Sequence, residues 1–118
     1  MNNTVTIYHN PRCSKSRETL GLLEQRGIAP HVVRYLDTPP SVAELKTLLQ
    51  ALGMHSAREL MRKKEEGYKT LGLADESLSE AQLLQAMVEN PKLIERPIVV
   101  KGKQARIGRP PEQVLEIL

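Results

Sequence analysis

The tightest constraint on this chain is the way it passes from a strand to a helix across its single cysteine. Val5 to Tyr8 has the β-branched and aromatic character of a strand, and a helical pattern opens near Ser14, leaving Cys13 at the junction. A side chain at such a junction faces the first free N–H groups of the helix, whose partial positive charge favours a thiolate over a thiol. Arg12, Lys15 and Arg17 add cationic charge nearby, and His9 adds more when protonated. The thiolate is the nucleophile, and the same helix start suits an oxyanion. A lone cysteine is more often a small buried hydrophobe. The polar and basic flanks favour a reactive Cys13 instead.

The remaining elements follow from that junction. A first helix is expected from about Ser14 to Arg26, with Thr19, Leu20, Leu22 and Leu23 inward and Gly27 as its stop. His31 to Tyr35 reads as a second strand, and a crossover of this length implies a right-handed parallel βαβ unit. After Thr38-Pro39-Pro40-Ser41 the pattern becomes purely helical. Ser41/Glu44, Ser56/Glu59 and Ser79/Gln82 each read as a helix start. Leu45, Leu48, Leu49 and Leu52 mark one buried stripe, and Leu83, Leu84, Met87 and Val88 another. Arg62 to Glu66 reads as a solvated charged face, and Tyr68 to Leu73 as a short helical turn. Strand character returns at Ile98-Val99-Val100. A turn at Lys101-Gly102-Lys103 leads to a return strand from Gln104 to Ile107, and a closing helix carries Val114, Leu115 and Leu118.

Composition narrows the function. The chain has 118 residues, enough for a core without staples, and its single cysteine cannot form an internal disulfide, which fits a reducing compartment. No leader segment or membrane span is apparent, so a cytoplasmic, soluble protein is expected. The net charge of +3 is mild and interspersed, and Tyr8, Tyr35 and Tyr68 are the only aromatics. A nucleic-acid surface would want stacking platforms that are missing here. A small anion site accounts better for the basicity. Arg96 and Arg109 each precede a proline at an element boundary, and guanidinium groups offer a tetrahedral oxyanion planar, paired donors. Arg62 alone would read as a surface charge. No set of His, Cys and acidic residues has metal-ligand spacing, so no metal is expected.

With the helical stretch set aside, the order is that of a thioredoxin-like fold: βαβ, then ββα, around a mixed four-stranded sheet. In that fold a cis-proline precedes the third strand and faces the cysteine, and Pro97 takes this place. The segment His9-Asn10-Pro11-Arg12-Cys13-Ser14-Lys15-Ser16-Arg17 resembles the active-site loop of the glutaredoxin-coupled arsenate reductases, the ArsC family. The likeness continues through Tyr35 to Pro40, Leu60 to Lys63, Glu95 to Val100 and Arg106 to Pro110, and looks most like the YfgD-type branch. It implies one ArsC-like domain over residues 1–118 with an all-helical insertion at about 40–94. By resemblance, Cys13 is the nucleophile, Arg62, Arg96 and Arg109 bind the oxyanion, His9 supports the loop, and Ser16 hydrogen-bonds the thiolate. Arg12 and Lys15 bring more charge to the mouth of the site than the family's best-studied members carry.

Reduction of As(V) to As(III) takes two electrons, so one cysteine needs a second thiol from outside. The resemblance implies glutathione as co-substrate, then glutaredoxin, with arsenite released from arsenate; no bound cofactor, nucleic acid or membrane is implied, and a monomer is expected. Two alternatives are a monothiol glutaredoxin-like oxidoreductase, compatible with Cys13-x-x-Ser16, and an Spx-like regulator that binds a protein partner without catalysis. A tyrosine-phosphatase loop would need an arginine where Thr19 stands.

Overall fold

Among the described residues, strands β1 (Val5–Tyr8), β2 (His31–Val33), β3 (Ile98–Lys101) and β4 (Gln104–Ile107) form one sheet in the order β2-β1-β3-β4. The computed structural model describes residues 4–118; residues 1–3, where a leader sequence would begin, lie outside it. β1 runs parallel to β2, pairing Ile7 with Val32, and antiparallel to β3, pairing Ile7 with Val99. Helix α1 (Ser14–Gln25) makes the crossover between the parallel strands. The β3–β4 hairpin turns at Gly102, whose φ of 61° is open to glycine at little steric cost. This is the thioredoxin-like order, with a mixed sheet and helices.

Strand alternation puts Val5, Ile7 and Val99 in one buried cluster with Leu23 of α1 and with Val114 and Ile117. The buried residues Ser16, Thr19 and Leu23 recur every three or four positions, so α1 turns a single stripe inward. Leu20, Leu22 and Ile28 pack at the edge of that cluster. Burying side chains of this size contributes about 1.5–3 kcal/mol each.

The chain through Thr38 and Arg96–Leu118 make one unit, and Pro39–Glu95 makes a second, purely helical one. The helical unit contains α2 (Val42–Leu52), α3 (Glu66–Thr70) and α4 (Glu80–Glu89), with 3-10 turns at Ala57–Leu60 and Pro91–Leu93. Capping boxes start α2, the Ala57 turn and α4: Ser41 with Glu44, Ser56 with Glu59, and Ser79 with Gln82. Each satisfies two backbone donors that a helix start leaves open. α4 packs on α2 and on both 3-10 turns, with Leu83, Leu84 and Met87 fully or almost fully buried. No helix among the described residues is long and apolar enough to cross a membrane.

Four local expectations need correction. β2 stops at Val33, because the N–H groups of Asp37 and Thr38 both bond to the Arg34 carbonyl and close a turn there. Tyr35 is nonetheless almost fully buried. The closing helix is a 3-10 helix, Pro111–Ile117, short and entered through two prolines, of which the first accepts the Gln113 N–H three residues on. The Tyr68–Leu73 turn begins earlier, as α3. The Arg62–Glu66 run is not wholly solvated: the Arg62 N–H bonds to the Leu93 carbonyl at 2.7 Å, and Arg62 and Glu65 are partly buried.

At Gly108 the backbone passes close to its neighbours within the sheet unit. A Cβ there would lie 2.5 Å from Thr19 Oγ1 and 2.8 Å from Pro97 Cγ, while the Gly108 N–H bonds to the Pro97 carbonyl at 2.9 Å. Gly108→Ala should therefore cost about 1–3 kcal/mol, the usual range for overpacking a close contact. Urea unfolding will show a lowered midpoint, and adding Thr19→Ala will restore part of it. An unshifted midpoint in the single variant would mean the contact yields without strain.

Candidate active site

The loop between β1 and α1 is held by backbone bonds at its two ends and by side chains that bond back onto it. The His9 N–H bonds to the Val33 carbonyl at 2.8 Å, carrying the β1–β2 pairing one residue further. Asn10 then closes the turn: its carbonyl accepts the Cys13 N–H and its Oδ1 accepts the Arg12 N–H, both at 3.0 Å. Arg17 reaches back from α1 to donate through Nη1 to the Pro11 carbonyl at 3.0 Å. Ser16 is fully buried. Its Oγ accepts the Asn10 N–H at 3.0 Å and lies 2.7 Å from His9 Nδ1. Burial first, then the charges of Arg34 and Arg17, lower the His9 pKa. A neutral imidazole can take the Ser16 hydroxyl hydrogen at Nδ1, which completes the network.

Cys13 is the N-cap of α1, in extended conformation and partly exposed. Its sulfur stands where a capping oxygen would, without a cap bond of ordinary geometry. Burial pushes the thiol pKa up. Against this act the Ser16 N–H, then the Arg96 guanidinium through hydrogen bonding and charge, then the Lys15 N–H, and the net shift is downward. Arg109 approaches from the other side of the cis Arg96–Pro97 bond in sequence. Its Nη2 lies 3.6 Å from Cys13 Sγ, and its Nε donates to the Arg96 carbonyl at 2.7 Å. The peptide bond between Arg109 and Pro110 is cis as well.

The residues singled out in the sequence thus take different places. Cys13, Arg96 and Arg109 come together. His9 and Ser16 brace the loop from beneath, and the Ser16 hydroxyl is engaged by His9 and Asn10 rather than by the thiolate; its backbone N–H acts on the sulfur instead. Pro97 is buried, in the cis form, against Gly108. Arg12 is exposed, and Lys15 Nζ pairs with Glu18 at 3.6 Å on the surface. The charge that lowers the thiol pKa comes from Arg96, so the expectation that Arg12, Lys15 and Arg17 side chains do this work is corrected. Arg62 belongs to the helical unit, where its Nε lies 3.9 Å from the Glu65 carboxylate. Sequence reading missed Asn10, although an Asn-Pro pair is a turn signal, and it missed the close approach at Gly108.

The alkylation rate of Cys13 against pH should have its midpoint below about 8.5, the value for a free thiol. The sign is fixed by the charged form: a lowered pKa means that thiolate, and hence reactivity, persists to lower pH. Arg96→Gln should raise the midpoint, while Lys15→Gln, which keeps the backbone N–H, should leave it nearly in place. A midpoint in the parent protein at or above the free-thiol value would contradict this electrostatic account.

Comparison with known proteins agrees with the geometry. The ArsC family profile matches residues 8–117. A protein of Escherichia coli K12, "Uncharacterized protein YfgD", is 68% identical over 118 residues, covering 100% of this chain and 99% of that one. The arsenate reductase of Haemophilus influenzae is 55% identical, covering 98% and 99%. The solved structure of an arsenate reductase from Vibrio cholerae superposes with a TM-score of 0.97 at 64% identity, over 100% of both chains. With a family match across nearly its whole length and relatives this similar, the chain belongs to the ArsC family.

Proposed function

We propose that this protein reduces arsenate to arsenite, with the Cys13 thiolate as nucleophile and with glutathione and glutaredoxin supplying the other thiols. The observation that carries the reading is the placement of a lowered-pKa sulfur between helix N–H groups and two guanidinium groups, Arg109 at 3.6 Å and Arg96 acting by hydrogen bond and charge. Relatives named arsenate reductase support the choice of oxyanion.

The chemistry follows from the thiol count. Cys13 Sγ attacks the arsenic of bound arsenate and displaces one oxygen, which leaves as water after protonation. A glutathione thiol displaces a second oxygen in the same way. The two As–S bonds then break together: one of their electron pairs forms the Cys13–glutathione S–S bond, the other stays on arsenic, and the As(III) takes up water and leaves as arsenite. The product on the protein is a Cys13–glutathione disulfide, which a glutaredoxin thiol opens by exchange. Arg96 and Arg109 offset charge on the arsenate oxygens, and each guanidinium offers paired donors that a lysine ammonium lacks. Arg62 is the third arginine that the family resemblance assigns to the oxyanion.

The test is arsenate-dependent NADPH consumption with glutathione, glutaredoxin and glutathione reductase. Turnover should vanish in Cys13→Ser. Arg96→Lys or Arg109→Lys should weaken arsenate use by about tenfold or more, since a charge-assisted hydrogen bond contributes about 1.5–3 kcal/mol. Arg62→Ala tests the third arginine separately. Lysine variants that work as well as the parent would show that bulk charge suffices. Disulfide reduction that proceeds without arsenate and does not need the arginines would favour the glutaredoxin-like alternative.

A further inference from the structure

The cysteine loop also walls a cleft that the arsenate chemistry leaves unused. Two adjoining hollows of about 540 and 420 Å³ share His9, Pro11, Arg34 and Asp37 as walls. One extends to Leu20, Val32 and Thr38, the other to Arg12 and Leu36. The cleft therefore reaches Arg12, the residue before the nucleophile. Arg12, Arg34 and Asp37 are all exposed and accessible to a ligand.

Three properties of this cleft define an occupant. It presents two cations and one anion, Arg12 and Arg34 against Asp37, which complements a molecule with two carboxylates and one ammonium. It has an apolar wall, since Val32 is one of only two large apolar side chains left exposed among the described residues. It also has a peptide-like edge. β2 is the outer strand of the sheet, and Val33 turns its carbonyl inward to the His9 N–H. Successive residues of a strand face opposite ways, so the Val32 N–H and C=O face outward, where an extended peptide can pair.

We infer that this cleft binds the co-substrate thiol as a short γ-glutamyl peptide with two carboxylates and one ammonium, glutathione. Its carboxylates meet Arg12 and Arg34, its ammonium meets Asp37, and its backbone lies along Val32 with the thiol directed toward Cys13. The inference rests on the glutathione reading above and adds where that thiol is held before it reacts.

Thiol–disulfide exchange tests it without arsenate. Cys13 is first converted to its mixed disulfide with thionitrobenzoate. The thiolate of glutathione then attacks Cys13 Sγ and forms a new S–S bond, and thionitrobenzoate leaves with the electrons of the broken one. Its release is timed with glutathione and with uncharged 2-mercaptoethanol, and the ratio of the two rate constants is compared between proteins. Arg34→Ser should lower that ratio about three- to fivefold, the yield of one exposed ion pair. Asp37→Asn should lower it by a smaller factor. Arg26→Ser, beyond the far end of α1, should leave it as in the parent. An unchanged ratio in Arg34→Ser, an equal slowing with both thiols, or an equal drop in Arg26→Ser would each overturn the assignment. Because no arsenate is present, failure of the reductase reading leaves this result intact, and the converse also holds.

Discussion

A contact of 3.6 Å between the Arg109 guanidinium and the Cys13 sulfur joins positions 96 residues apart in sequence. It exists because the last strand of the sheet ends beside the start of α1, and because Gly108 lets the backbone pass against Thr19 and Pro97. Arg109 in turn donates to the Arg96 carbonyl, so the two arginines are fixed relative to each other as well as to the sulfur. A larger residue at position 108 would displace this arrangement before it touched any catalytic group.

The electrostatics of the thiol are a competition. Partial burial opposes the anion, and fixed donors favour it: two backbone N–H groups at the helix start, and one guanidinium that cannot lose its charge. Exposed lysines and arginines contribute little beside these, because water screens them and ion pairs such as Lys15–Glu18 offset them. The neighbouring histidine is pushed the other way. Its burial and the charges of Arg34 and Arg17 favour a neutral ring, which suits a brace bonded to Ser16 better than a second cation.

Much of this was legible in the residues. The β-branched runs marked β1 and β3, and Ser-x-x-Glu or Ser-x-x-Gln marked the starts of α2, the Ala57 turn and α4. Local chemistry decides those features, so a local reading finds them. The errors lie where longer-range contacts decide. Tyr35 looks like a strand residue but is the buried member of a turn, otherwise exposed or half-buried, set by the Arg34 carbonyl. Proximity in sequence made Arg12, Lys15 and Arg17 look like the charges on the thiol, whereas the fold brings Arg96 and Arg109 there. The Ser16 hydroxyl looked free for the sulfur because nothing in the sequence shows that His9 and Asn10 occupy it. The cleft beside Arg34 and Asp37 was equally hidden, since it depends on β2 lying at the sheet edge.

The central claim is that a Cys13 thiolate, held by the helix start and two arginines, meets arsenate before it meets a second thiol. Intact-mass measurement of protein quenched in acid after incubation with arsenate and reduced glutathione, without glutaredoxin, tests this directly. The account predicts one glutathione added through Cys13, formed only when arsenate is present and absent from Cys13→Ser. An adduct that forms equally without arsenate, or repeated arsenate turnover with no adduct on Cys13, would contradict it.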